Sequence, residues 1–365
     1  MLNFRTRAYA FTSRQAQHGL SLIEMMISIT IGLIILSAMA TLFSNQSKVR
    51  SELDKSNRMI DNGRYALEVL SSNLSMAGFY GSYVPASGAP ASTPDPCNLT
   101  TLTTAATNLD VLRHHVQGYD ATSATDQIDT LPATCALTYT SGSLTTLKDG
   151  SDILALRRTS TATPVAAATV AAAASTVLQV SNCSTALVDY QVIPGDASKA
   201  AYLDKDCSTV ASLRPFIVQV YFVSPDSTTV GDGIPTLKRR ELDQATGAFV
   251  TTPLVEGIEY MQVDYGLDAD ADGSADSYIA APTTANWPNI VSVKLNIIAR
   301  NVDPTASHTD TKTYSLGLAG NVGPFNAAPY NAAPYPTTYP TLANYKRHAY
   351  TQVVRLVNAS GRLAP

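Results

Sequence analysis

From Met25 to Ser47 the chain carries no charged residue, and Met25 to Phe43 is almost wholly apolar. At ~1.5 Å per residue that apolar core covers about 30 Å, the thickness of a bilayer's hydrocarbon layer, and predicts a membrane-spanning helix. The pattern then changes from apolar all round to striped. Val49, Leu53, Ile60, Leu67, Leu70 and Leu74 recur at three-four spacing, with the small residues Ser56 and Gly63 on the same stripe. That spacing predicts an amphipathic helix with one buried face, stopping near Gly78. Residues 20–77 would form one helix of ~87 Å, in which Gly32 and Gly63 either kink the rod or permit close packing.

After Tyr80 the period shortens. Residues 85–96 (PASGAPASTPDP) read as loop. Short β-like runs follow at Val111–Val116, Ile153–Arg157 and Thr176–Val180. Between the last two lies an Ala/Thr-rich stretch, Thr159–Ser175, read as a loop in preference to a short helix because of Pro164. From residue 215 the β pattern strengthens at Phe216–Val223, Leu237–Leu242, Ile258–Tyr265, Ile290–Ala299, Tyr314–Leu318 and Tyr350–Val357. In the third of these runs Tyr260, Gln262 and Asp264 alternate with Met261, Val263 and Tyr265. A long helix followed by antiparallel strands predicts an α+β fold with the sheet packed on the helix's apolar stripe.

Composition adds bounds. The 365 residues are 45% hydrophobic and 15% charged, enough apolar material for a sizeable core. Residues 1–19 hold Arg5, Arg7 and Arg14 and no acid. Without them the chain has 22 basic and 29 acidic residues, a net charge of −7. No basic stripe points to nucleic acid. Cys97, Cys135, Cys183 and Cys207 form no C-x-x-C pair, and no histidine stands at metal spacing from them. In an exported chain an even set favours disulfides, and closure entropy favours the short loops, Cys97 with Cys135 and Cys183 with Cys207. Four buried thiols are the alternative.

The start of the chain carries the sharpest chemistry. A secretory signal would place a small-residue cleavage site after its apolar run. Here the small residue, Gly19, stands before the run, so cleavage there would leave the run on the mature protein. Glu24 lies one turn inside the apolar segment, where a carboxylate costs roughly 2.5–3.5 kcal/mol on insertion scales. It is either an interfacial acid or a group with a partner.

The string GLSLIEMMISITIGLIILSAMATLF, Gly19 to Phe43, resembles the type IV pilin signature. The resemblance implies that a prepilin peptidase cuts after Gly19 and methylates the new N-terminal residue, Leu20. It also implies that Glu24 meets the N-terminal amine of a neighbouring subunit. Further on, ALEVLSSNLSMAGFYG (66–81), SDILALRR (151–158), LKRREL (237–242), LVEGIEYMQVDYGLDADADGSADSY (254–278), WPNIVSVKLNIIAR (287–300) and RHAYTQVVRLVN (347–358) resemble the PilW family of minor pilins. The resemblance is weakest at 85–150, 159–210 and 324–345, which read as insertions. The expected organisation is a leader (1–19), a transmembrane half-helix (20–43), an amphipathic half-helix (44–78) and an exported β-rich domain (79–365). In the last, an insertion covers about 85–210 and the core sheet about 214–358.

One motif suggests a metal. In DADADGSAD (268–276), Asp268, Asp270 and Asp272 take the first, third and fifth places of an EF-hand-type loop. Gly273 takes the sixth, Ser274 offers a carbonyl at the seventh, and Asp276 stands at the ninth. The twelfth place holds Ile279 instead of a closing Glu. The expectation is a calcium loop lacking one ligand, and the alternative is an Asp/Gly-rich hairpin turn. No nucleophile–base set, P-loop or H-E-x-x-H pattern marks an enzyme. His114 and His115 are adjacent without metal-spaced partners. Residues 326–335 repeat NAAPY in a Pro/Tyr-rich stretch, and Trp287 reads as a core anchor.

The implied function is a minor pilin, anchored in the inner membrane and built into a pilus-initiating or tip complex. Its partners would be other minor pilins, the major pilin, the prepilin peptidase, the inner-membrane assembly machinery and a large tip adhesin. The rivals are a minor pseudopilin of a type II secretion system and an exported calcium-dependent adhesin on a pilin-like anchor.

Overall fold

The computed structural model describes Gly19 and residues 21–98, 105–123, 125–129, 131–140, 142–166, 176–186, 190–194, 202–326 and 342–363. The chain divides into two compact units, Met1–Asp54 and Lys55–Pro365. One helix, α1 (Leu22–Ser75), runs through the boundary. Within the first unit its large apolar side chains from Leu22 to Phe43 are all exposed. Among the described residues it is the one helix long and apolar enough to cross a membrane. Its far end stops where the sequence predicts. Gly78 sits at φ +74°, a left-handed position that suits glycine, and its N–H donates to the Arg157 carbonyl at 2.9 Å.

The second unit adds α2 (Ala105–Arg113), β1 (Val116–Tyr119), β2 (Ile153–Thr159), β3 (Thr176–Val180), β4 (Tyr190–Pro194) and β5 (Leu213–Ser224). Then come β6 (Thr236–Leu242), β7 (Phe249–Glu256), β8 (Ile258–Leu267), β9 (Ser277–Ile279) and β10 (Ile290–Arg300). The chain closes with β11 (Tyr314–Ser315), β12 (Asn321–Val322), β13 (Arg347–Arg355) and α3 (Val357–Leu363). This is an α+β arrangement with antiparallel sheets.

A four-stranded antiparallel sheet in the order β13-β10-β8-β9 meets the helix. Met261, Val263 and Tyr265 of β8 and Val293, Leu295 and Ile297 of β10 pack with Met59, Ala66, Leu70 and Leu74 of α1. The buried stripe is therefore not quite the expected one. Val49 and Leu53 are exposed and Met59 and Ala66 join the buried face, while Gly63, Leu70 and Leu74 are buried as expected. Gly63 explains the close approach, because a Cβ there would stand 2.3 Å from the Tyr350 ring of β13. The helix is thus grooved at Gly63 to admit an aromatic side chain. A Cβ on Gly32 would meet nothing within 4 Å.

The opposite face of this sheet is also covered. Tyr260 and Ile298 pack with Leu316, Val322 and Phe325, so the polar members Gln262, Asp264 and Asn296 are buried as well. The buried Asp264 accepts from the Leu318 N–H at 3.1 Å and from Asn296 Nδ2 at 3.1 Å. Those bonds let a carboxylate sit beneath the 301–326 segment.

The second sheet runs β1-β2-β5-β3-β4, with β6 and β7 continuing from β5. Its seam with the first sheet runs along β8, where Ser151 Oγ accepts from the Met261 N–H, Gln262 donates to the Ala121 and Gly150 carbonyls, and Asp152 makes two further bonds. Asp152 Oδ2 accepts from the Val263 N–H of β8 and Oδ1 from the Ala121 N–H, each at 2.8 Å. The carboxylate stands in for a strand's carbonyl row at the edge of β8. Burial pushes the Asp152 pKa well up despite these bonds. The sulfurs of Cys97 and Cys135 are bonded at 2.09 Å, and those of Cys183 and Cys207 at 2.03 Å.

Several strand expectations need correction. Val111–Val116 is the end of α2 followed by the first residue of β1, because Val111 and Leu112 recur with the helical period against Tyr80 and Phe216. Tyr314–Leu318 holds only the two-residue β11 before a 3-10 turn at Gly317–Ala319. The run at Tyr350–Val357 starts earlier, at Arg347, and gives way to α3. β7 and β4 were not foreseen. Most of the Ala/Thr stretch, residues 167–175, and most of the NAAPY repeats, residues 327–335, lie outside the described residues.

Candidate assembly and metal sites

At the start of α1, Gly19 is exposed, and a Cβ built on it would meet nothing within 4 Å. Neither packing nor a positive φ calls for glycine there. Leu20 lies outside the described residues. Glu24 occupies the first turn of α1, exposed, where a carboxylate faces unsatisfied helix N–H groups. Its carbonyl accepts from Ser28 Oγ at 2.7 Å. The apolar residues around it, Leu22, Ile23, Met25 and Met26, are at least 58% exposed, so the carboxylate stands in a surface whose natural environment is lipid or other apolar helices.

The acidic loop 268–276 connects β8 to β9, a hairpin whose register pairs Leu267 with Ser277 and Tyr265 with Ile279. β9 stands between the loop and β10. Asp268 is buried and accepts from the N–H groups of Ala271 (2.7 Å), Asp272 (3.3 Å) and Gly273 (2.8 Å). Asp276 accepts from the Ala269 N–H at 2.7 Å. Ala271 and Gly273 take φ of +63° and +84°, the turns that fold the loop back on itself.

Oxygens of Asp268, Asp270 and Asp276 lie within 4.8 Å of one another. Asp272 lies outside that group, and its Oδ1 accepts from the Ser274 N–H at 2.7 Å. The neighbouring carboxylates of Asp272 and Asp276 raise the Asp270 pKa. Ile279, at the place of a closing ligand, is locked in the β9 register. The donor set is hard oxygen throughout, which fits calcium or another hard cation and leaves its shell incomplete.

Sequence reasoning missed a second charged centre. Arg347 Nε and Nη2 donate to the two oxygens of Glu259 at 2.5 and 3.0 Å, and Nη1 donates to Asp310 Oδ2 at 3.0 Å. Arg300 Nη1 stands 3.6 Å from Glu259. All four side chains are at most 5% exposed. Burial raises the Glu259 pKa, but Arg347 and Arg300 outweigh it and hold the carboxyl at about 2. The Arg347 guanidinium also lies over the Phe325 ring, 3.4 Å from its centroid. The centre pins the 301–326 segment to the sheet. The only sequence signal was RHAY and GIEY, two charged residues inside β-like runs.

His114 and His115 are buried. His114 Nδ1 lies 2.7 Å from the Asp110 carbonyl, and His115 Nε2 lies 2.8 Å from the Ile290 carbonyl. Burial lowers their pKa values to about 3 and about 4. Their role is packing beside Trp287, which stands edge-on to Tyr265 at 5.0 Å.

Residues 220–358 match the family described as type IV pilus-assembly protein W. Residues 14–40 match the prokaryotic N-terminal methylation motif. No curated protein matches the chain. Among solved structures, it is similar to a type IV-like pilin from Thermus thermophilus at 10% identity, covering 83% of this chain and 98% of that one, with a TM-score of 0.30.

Proposed function

From the two matches we propose a PilW-type minor pilin that helps initiate type IV pili and is retained in them, in a priming or tip complex. The observation that carries this reading is that both matches fall on one chain, the motif at the start of α1 and the family match over the sheet that packs on its far half. Gly19 supports it. A glycine that nothing among the described residues requires is suited to a peptidase that must approach the backbone. The mechanism is assembly. After cleavage the apolar half of α1 packs among other such helices, and the Glu24 carboxylate meets a subunit's N-terminal amine, each charge costly in lipid without the other.

The deciding experiment shears pili from wild-type cells and from a deletion strain. The chain should be present in the sheared fraction, and surface pili should fall in its absence. Normal piliation without it, or its absence from the filament, refutes the reading. Presence in a secretion pseudopilus would favour the pseudopilin alternative. Intact leader on membrane-extracted protein, instead of a methylated Leu20, would refute the processing step. Glu24→Ala should insert normally and fail to be recruited. Normal assembly of that variant would dismiss the pairing.

The acidic loop adds calcium to this proposal. Asp268, Asp270 and Asp276, with Asp272 and the Ser274 carbonyl beside them, would hold the ion weakly, at ~10⁻⁴–10⁻³ M, because the closing ligand is missing. The ion would supply charge neutralisation and fix the β8–β9 turn.

A further inference from the structure

The four-stranded sheet ends on one side at β13, and its backbone geometry shows which groups that edge exposes. The ladder with β10 is regular over nine consecutive pairs, Ser292↔Arg355 to Arg300↔Arg347. It continues at both ends in hydrogen bonds of the same phase, from the Leu356 N–H to the Val291 carbonyl and from the Asn301 N–H to the Lys346 carbonyl. In an antiparallel pair, alternate residues direct both backbone groups to the neighbour. Leu356 and Lys346 fix the phase, so the even-numbered residues bond β10. The N–H and C=O groups of Arg347, Ala349, Thr351, Val353 and Arg355 face outward. Among the described residues nothing pairs with them.

The other strand edges are blunted. β7 carries Pro253 and a bulge opposite Leu237/Lys238. β4 ends in Pro194. β1 has four residues and β9 three. β13 has nine residues, no proline and no bulge. Proteins that do not use a long open edge protect it, because it templates pairing with another chain. Among the described residues β13 is the longest edge without a proline or bulge, and Val353 is 53% exposed there.

Charge narrows the occupant. β13 contains no carboxylate, and its exposed ionisable positions are basic: His348, and Arg355, which donates to Ser360 Oγ at 3.0 Å and stays exposed. A second copy fits poorly. Tyr350 lies against Ile60 and Gly63, while Asn358 donates to the Ala77 carbonyl, so β13 and the Lys55–Ser75 part of α1 run in the same direction. Two-fold pairing of β13 with itself would set those helical segments antiparallel. It would also bring two basic edges together, which repel.

We infer that the β13 edge receives an extended strand from a different protein of the assembly, one bearing carboxylates that meet His348 and Arg355. Backbone bonding gives the affinity and the flanking charges give the choice. Only the source of the strand rests on the pilus reading.

The test uses the full chain in detergent micelles and a labelled peptide, acetyl-Glu-Val-Thr-Val-Thr-Val-Glu-amide, followed by fluorescence anisotropy. The peptide should bind saturably, and its lysine-ended counterpart should bind less. Val353→Pro removes an outward N–H and leaves the β10 ladder intact. It should weaken binding roughly tenfold or more while the melting temperature stays near wild type. Thr351→Pro is the second backbone variant should Val353→Pro not fold, and His348→Glu should shift preference toward the lysine-ended peptide. Absence of saturable binding, unchanged binding by a folded proline variant, or equal binding of the two peptides would overturn the inference. So would concentration-dependent dimers abolished by Val353→Pro, which would make a second copy the occupant. Peptide binding by a chain missing from sheared pili would leave the edge standing and remove the pilus reading. A chain present in pili that binds no peptide would do the reverse.

Discussion

Two groups of carboxylates solve the same electrostatic problem in opposite ways. Glu259 and Asp310 are buried and neutralised by the chain's own Arg347 and Arg300. Asp268, Asp270, Asp272 and Asp276 crowd one hairpin, and no salt bridge reaches them among the described residues. The first group is complete, so its cost of desolvation is already offset and it acts as a fixed rivet. The second is incomplete, so its repulsion is relieved by solvent or by an ion from outside. The nearest cation to the loop, Arg355, bonds the Gly273 carbonyl and forms no salt bridge with the four carboxylates among the described residues.

The contrast can be broken most forcefully at Arg347. Arg347→Met leaves Glu259 and Asp310 buried without their main partner and should cost about 3–5 kcal/mol, read from urea unfolding of the full chain. A loss under 1 kcal/mol would mean that the cluster is not the rivet described here. The loop should respond less. Millimolar calcium at ten times its dissociation constant should stabilise the folded state by about 1.4 kcal/mol and raise the melting temperature. Magnesium should substitute poorly, and Asp270→Ala with Asp272→Ala should abolish the rise. No shift with calcium, or the same shift in the double variant, would reduce the loop to an acidic turn.

The smallest effect separates the two groups by pH. Glu259 has its folded pKa lowered to about 2 from an ordinary value of 4.5. Its stabilisation is therefore fully present above pH 4.5 and is lost as pH falls through about 2. Asp270 is shifted the other way by Asp272 and Asp276. It should take up its proton above the usual carboxylate range, and calcium should bring that pKa down. Carboxyl chemical shifts followed by NMR would show both, and an Asp270 titration unmoved by calcium would count against a shared ion.

The sequence made the outline legible where periodicity was long. The 19-residue apolar run and the strands at Thr176–Val180, Leu237–Leu242 and Ile290–Ala299 announce themselves, since a repeat held over several turns or pleats has few other readings. Gly78 showed the helix's end because only one residue type suits that backbone. The face of α1 was harder. Val49 and Leu53 continue the stripe in sequence, yet burial is centred on Met59, Gly63 and Ala66, set by an aromatic ring arriving from residue 350. The Arg347–Glu259–Asp310 centre joins residues up to 88 apart in sequence, and no local pattern encodes such a meeting. The acidic loop was visible as a motif because all its donors lie within nine residues. Its outlet into β9 was not, because three residues are too few to set a period.

The parallel course of β13 and α1 bears on mechanical load. Tyr350 is seated at Ile60 and Gly63, and at the other end Asn358 and Arg362 donate to the Ala77 and Gly78 carbonyls. Tension along the Lys55–Ser75 segment would therefore pull on two separated anchor points and the apolar contacts between them together. Such contacts slide and must fail in concert, whereas an unzipping geometry would break them one at a time. A sheet joined to its helix in this way yields to a pull along the helix only when both anchors and the contacts between them give way together.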